Sequence, residues 1–158
     1  MPTILVTYYS RGGNTKMMAE GVKEGIEAEN VTCVIKPVNE VKIEELLDYK
    51  GIAIGSPTYY GDMAAEVKKL LDDSVKLHGQ LEGKIGAAFS SSANIGGGNE
   101  TTILSILRAL LVHGMIIQGD SSGDHYGSVS IGSPDKRAKE ESLRLGKRLA
   151  KLAKRLSQ

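Results

Sequence analysis

The chain is short of cysteine, of aromatic residues, of long apolar runs and of any excess of charge. Its single cysteine, Cys33, excludes a disulfide framework within one chain and suits a reducing, cytoplasmic setting. That residue sits in the apolar run VTCVIKPV and reads as a buried strand position rather than a nucleophile. No stretch approaches the roughly 18 apolar residues of a membrane-spanning helix. The opening MPTILVTYYS has neither the basic start nor the apolar length of a signal peptide. Lys and Arg number 20 against 19 Asp and Glu, a formal net charge of +1, so no global field draws the chain to nucleic acid or an anionic membrane. Tryptophan is absent and phenylalanine occurs once. Six tyrosines remain, and four of them stand in adjacent pairs, Tyr8–Tyr9 and Tyr59–Tyr60.

A length of 158 residues, 41% apolar and 25% charged, predicts one domain over 1–158 with a proper core. Short β-branched runs alternate with longer helical patterns. Strands are expected at residues 3–9, 31–38, 51–60, 84–92 and 115–119. Helices are expected at 15–29, 64–75 and 101–114, with a short helix or turn at 43–50. A last helix opens at Ser133-Pro134, with serine as cap and proline in the first turn. Leu145, Leu149, Leu152 and Leu156 form its apolar stripe, and its many Lys and Arg make a solvated face. The stretch HYGSVSIG before it reads as irregular. The alternation predicts an α/β fold with a five-stranded parallel sheet in the order 2-1-3-4-5 and helices on both faces. Ligands of such sheets bind at the C-terminal strand ends near the reversal of order, so loops 10–15, 56–62 and 90–99 should converge on one site.

The first loop, SRGGNT, joins a strand to a helix N-terminus, where unpaired backbone N–H groups and the helix dipole suit an anion. Gly12 and Gly13 let the backbone wrap closely, while Ser10, Asn14 and Thr15 can donate from their side chains. The alternative is an ordinary turn capped by Thr15. Neither GxxxxGK[ST] nor GxGxxG follows the first strand, and no aspartates cluster at its end, so a single phosphomonoester is the expected ligand. In the second loop, SPTYYGDM, Tyr59 and Tyr60 offer a stacking platform for a planar ring. Gly61 can turn its peptide toward a ring nitrogen, and Asp62 would repel an anionic reduced ring. The bland reading of that loop is a proline-initiated turn with surface tyrosines. The third loop, SSSANIGGGNETT, lets the backbone approach a flat ligand along its edge or is simply a flexible surface loop.

The segments YYSRGGNT, GSPTYYGDM, FSSSANIGGGNETT, HGM (113–115) and HYG (125–127) resemble, in order and over nearly the whole chain, the flavodoxin-like FMN-binding family. Within it the chain is similar to the short WrbA-type NAD(P)H:quinone oxidoreductases. The resemblance implies a flavodoxin-like three-layer sandwich with FMN as cofactor and no metal. It implies that Ser10, Arg11, Gly12, Gly13, Asn14 and Thr15 hold the phosphate. Pro57, Thr58, Tyr59, Tyr60 and Gly61 would line the isoalloxazine. Ser91, Ser92, Ala93, Asn94, Ile95, Gly96 and Gly97 would follow its pyrimidine side and the ribityl chain. The implied partners are NAD(P)H and a quinone or a redox protein, and the implied assembly is a homo-oligomer, a dimer or tetramer. Val112-His113 stands where the family has two histidines, and no tryptophan is available to close a substrate pocket. His113 reads as a helix C-terminal residue favoured by the dipole rather than a redox group.

Two functions are compatible with these residues. An FMN enzyme passing electrons from NAD(P)H to a quinone needs no catalytic side chain, which accounts for loops so poor in acids and bases. A single-electron carrier is the alternative, although carriers of this kind resemble strongly acidic proteins and the charges here balance.

Overall fold

A strand inside a parallel sheet is covered on both faces and reads as a continuous apolar run. In the computed structural model, which describes residues 1–158, TILVTY forms such a strand, β1 (Thr3–Tyr8). Ile4, Val6 and Tyr8 belong to the core on one side of the sheet, and Leu5 belongs to the core on the other. β1 pairs in parallel with β2 (Thr32–Pro37) on one edge and with β3 (Gly51–Tyr59) on the other. Beyond the sheet, β3 turns back on itself through the two-residue strand β4 (Asp62–Met63). β5 (Ile85–Ser92), buried along its whole length, pairs in parallel with β3. The last sheet position is shared by β6 (Ile116–Ile117) along the start of β5 and β7 (Val129–Ile131) along its end. The resulting order, β2-β1-β3-β5-β6, is the expected one with two short strands added.

Two helix layers enclose this sheet. On one face α1 (Asn14–Glu27) lays Met18, Ala19, Val22 and Ile26 against β1 together with Leu145, Leu149 and Ala153 of α4 (Lys136–Arg155). On the other, α2 (Ala65–Asp73) and α3 (Asn99–Val112) contribute Val67, Leu70, Ile103, Ile106 and Leu110. Glycines bring α1 and α4 into backbone contact: a Cβ on Gly25 would stand 2.0 Å from the Leu143 carbonyl oxygen, and one on Gly146 would stand 2.0 Å from that of Val22. No helix is long and apolar enough to cross a membrane. The chain leaves β1 toward β2 on one side and reaches β3 on the other. The loops after β1 and β3 therefore part and open a crevice at the C-terminal edge.

Three local expectations are corrected. The fifth strand is not the continuous 115–119. Only Ile116 and Ile117 pair, because the chain then leaves the sheet to bring Asp120 to Arg144 and Arg148 on α4. Its second half is β7, inside the stretch expected to be irregular. The last helix is capped by Asp135, whose carboxylate accepts from the Ala138 N–H at 2.8 Å, and not by Ser133; a carboxylate also complements the helix dipole. Finally, α3 begins two residues early, at Asn99, because Gly98 takes the left-handed conformation that starts the helix.

Candidate functional site

The crevice at the reversal of strand order is a cleft of about 640 Å³. The first loop supplies Ser10, Arg11, Gly12, Asn14 and Thr15 to its wall; the second supplies Pro57, Thr58 and Tyr59; the third supplies Ser91, Ser92 and Ala93. All three loops singled out in the sequence thus meet there. Gly13, Tyr60, Gly61, Asn94, Ile95, Gly96 and Gly97 do not line the cleft in this structure. Gly13 is the residue of the first loop that immediately precedes α1, and the other six belong to the second and third loops beyond their lining residues. Gly132, just past β7, completes the wall. It escaped the sequence reading because β7 itself did; a glycine after a β-branched run (SVSIG) was the available signal.

In the first loop a set of unpaired donors is assembled from the backbone. Gly13 has φ +98° and precedes α1 without a side chain to cap it. Ser10 does that work instead, its Oγ accepting from the N–H groups of Gly13 at 3.1 Å and Lys16 at 3.3 Å. The N–H groups of Arg11, Gly12, Asn14 and Thr15 donate to no atom of the chain, which leaves four donors at a helix N-terminus. Thr15 is not the cap that the ordinary-turn alternative made it. It is buried, and its hydroxyl shares a 2.9 Å hydrogen bond with Ser91 at the end of β5.

The second loop is a tight hairpin. Tyr59 pairs with Asp62, and the intervening Tyr60 and Gly61 both have positive φ, +50° and +78°. A non-glycine residue in that region costs about 1–3 kcal/mol, and the pairing of Tyr59 with Asp62 and Thr58 with Met63 around the turn holds Tyr60 there. Only Tyr59 faces the cleft. Tyr9 braces its ring edge-on, with centroids 6.5 Å apart and planes at 77°, a favourable aromatic geometry. Burial first, then Glu66, raises the proton affinity of the Tyr9 phenol above its ordinary value, so Tyr9 stays neutral. Tyr60 is fully exposed. Below them Thr58 donates to Ser90 at 3.0 Å and Ser90 donates on to the Ser56 carbonyl at 2.7 Å, tying β3 to β5 under the cleft floor.

The third loop, 93–98, is open to solvent, with Ile95 90% exposed. Asn99 anchors its far end by donating to Ser92 Oγ at 3.0 Å. Of the residues lining the cleft only Arg11 and Tyr59 carry ionisable side chains; no carboxylate, histidine or cysteine is among them. A second cleft of about 650 Å³ lies along α4 beside residues 118–121. Its arginines Arg144 and Arg148 are turned onto buried Asp120, and it has no aromatic wall for a ring. His125 of the HYG segment donates from Nδ1 to the Asp120 carbonyl at 2.6 Å, at the sheet edge. His113 ends α3 as expected but does not exploit the dipole. Burial, with the neighbouring His78 second, lowers its pKa and keeps the ring neutral.

Comparison with known proteins agrees with this geometry. Residues 6–102 match the protein family described as Flavodoxin. A protein of Aquifex aeolicus named Flavodoxin is 43% identical, over 95% of this chain and 86% of its own length. A protein of Archaeoglobus fulgidus named NAD(P)H dehydrogenase (quinone) is 35% identical, over 99% of this chain and all of its own. Among solved structures, a flavodoxin from the domain Archaea superposes with a TM-score of 0.81 at 32% identity, covering 96% of this chain and 99% of that one. A WrbA-like flavodoxin from Agrobacterium tumefaciens superposes with a TM-score of 0.84 at 24% identity, covering 98% and 99%, which speaks for the fold. The chain belongs to the flavodoxin family. The cofactor of that family is FMN, and four free N–H donors opposite a braced tyrosine fit a phosphate and a planar ring.

Proposed function

We propose that this protein holds FMN in the cleft and uses it to pass two electrons from NAD(P)H to a quinone. The reading is carried by the four unpaired N–H groups of the first loop, whose residues line a cleft free of carboxylate, histidine and cysteine. Arg11, Gly12, Asn14 and Thr15 bind the phosphate through their amides, with Ser10 and Gly13 shaping the loop. Tyr59, braced by Tyr9, stacks on the isoalloxazine, with Pro57, Thr58, Tyr60 and Gly61 around it. Residues 91–97 follow the pyrimidine edge and the ribityl chain through backbone groups. Bound FMN supplies the reversible two-electron chemistry that no side chain here offers. The balance is simple: NAD(P)H, a quinone and one solvent proton give NAD(P)⁺ and the hydroquinone. The protein's part is to orient the ring and exclude water from one face of it. The single, half-buried cysteine suits a cytoplasmic setting.

The 35%-identical relative named NAD(P)H dehydrogenase (quinone) supports this reading. The 43%-identical relative named Flavodoxin supports a second, a carrier of single electrons between redox proteins. Steady-state oxidation of NADH and NADPH with benzoquinone separates them. Turnover that requires added FMN is expected of the enzyme, and its absence with both nucleotides leaves the carrier.

A further inference from the structure

The turn that carries Tyr60 is held by more than its own strands. From the first turn of α3, the Thr101 hydroxyl donates to the Gly61 carbonyl at 2.7 Å, a contact between residues 40 apart in sequence. The Gly98 carbonyl, at 2.9 Å, is a second acceptor for the same hydrogen. A hydroxyl carries one proton, so it serves one of the two carbonyls at a time. Gly98 lies hard against the turn: a Cβ on it would stand 2.6 Å from the Gly61 Cα. Gly61 has room of its own, with no atom within 4 Å of where its Cβ would be.

We infer that Thr101 is a latch on the Gly61 carbonyl, releasing it when the hydroxyl turns to Gly98, and that it thereby decides whether this carbonyl can accept a hydrogen bond from bound flavin. The inference rests on the reading of residues 57–61 as the flavin wall. One electron from an external reductant and one proton from solvent create an N–H on the ring, and the second electron adds no further donor at that atom. An acceptor facing it therefore raises the first one-electron potential and leaves the second nearly unchanged. With the carbonyl held by Thr101 the first potential stays low, and the two electrons move together. That is the behaviour hydride transfer from NAD(P)H requires. Thr101 touches neither nucleotide nor quinone in this scheme; it is a positioning residue that acts through Gly61.

Thr101→Val keeps the side-chain shape and removes the donor, whereas Thr101→Ser keeps the donor. FMN-loaded wild type and both variants are titrated with dithionite, and the visible spectrum is followed. In Thr101→Val the first potential rises relative to the second by the weight of one neutral hydrogen bond, and the share of protein holding one added electron at half-reduction, which follows the square root of the corresponding equilibrium constant, increases about twofold. Thr101→Ser titrates as wild type. In the flavin-free proteins, amide exchange at residues 61–63 is about fivefold faster in Thr101→Val only. Unchanged exchange overturns the latch, and faster exchange with unchanged potentials overturns its effect on the flavin. A wild type that takes up no FMN is instead a failure of the site reading, seen before any variant is compared.

Discussion

Thr15 Oγ1 and Ser91 Oγ lie 2.9 Å apart in a buried contact that joins the first turn of α1 to the end of β5. The two hydroxyls come from loops 76 residues apart, and their bond fixes the spacing between the proposed phosphate handle and the proposed flavin edge. Removing either partner leaves the other buried and unsatisfied. Thr15→Val and Ser91→Ala are each expected to weaken FMN by about fivefold to tenfold. The double variant should lose less than the product of the two, because the contact is lost only once. Quenching of flavin fluorescence measures all four affinities. Strict additivity would show that the bond does not set the loop spacing.

His113 makes stability depend on pH. Ser74 donates its hydrogen to the Leu71 carbonyl at 2.6 Å, so the 2.8 Å contact between Ser74 Oγ and His113 Nε2 requires Nε2–H as donor. Nδ1 is then a buried acceptor without a partner, and protonating it would add an unpaired donor and a charge among apolar neighbours. Its folded pKa accordingly lies below the ordinary 6.5. The unfolded chain takes up the proton first, so this contribution is complete above about pH 6.5 and is lost as the pH falls below it. Urea midpoints should therefore drop between pH 7 and pH 5.5 in the wild type and drop less in His113→Gln.

Asp120 is the most heavily committed carboxylate in the structure. It accepts from Arg144, from Arg148 at 2.8 Å and from the N–H of Ser122 at 2.9 Å. Arg144 first, then the Ser122 amide, holds its pKa well below the ordinary 3.8. The stability it confers is complete above about pH 4 and is lost as acid titrates the carboxylate. Burial meanwhile lowers the proton affinity of Arg148, whose side chain is only 14% exposed. Asp120→Asn leaves that guanidinium without its counter-charge and is expected to cost about 3 kcal/mol at neutral pH in chemical denaturation. A loss below about 0.5 kcal/mol would mean that solvent replaces the carboxylate.

Close packing of α1 on α4 gives a fourth test. Gly25→Ala or Gly146→Ala pushes a methyl group into a backbone carbonyl of the facing helix and should lower Tm by about 10 °C, or about 3 kcal/mol. Gly12→Ala, with nothing within 4 Å of the added carbon, leaves Tm within a degree or two and serves as the control.

Most of the fold was legible because its strands are buried on both faces and its helices on one, so apolar runs and periodicity reported them directly. β1, β3, β5 and α1 fall within one or two residues of their expected bounds. The edge was not legible. β6 and β7 are too short to leave a pattern, and the excursion between them is held by Asp120 and the α4 arginines, contacts no local reading contains. At the candidate site, loop composition pointed to three segments that meet in one cleft. It could not tell Tyr59 from Tyr60, which depends on the positive φ of the hairpin turn, nor show that Thr15 turns inward to Ser91.

The central claim is that the first loop grips FMN by its phosphate while the chemistry resides on the ring. The most direct measurement compares the affinities of FMN and riboflavin for the flavin-free protein, since the two differ only in that phosphate. Charge-assisted bonds from four backbone amides predict that FMN binds at least about a hundredfold more tightly. Equal affinities would contradict the assignment of Arg11, Gly12, Asn14 and Thr15.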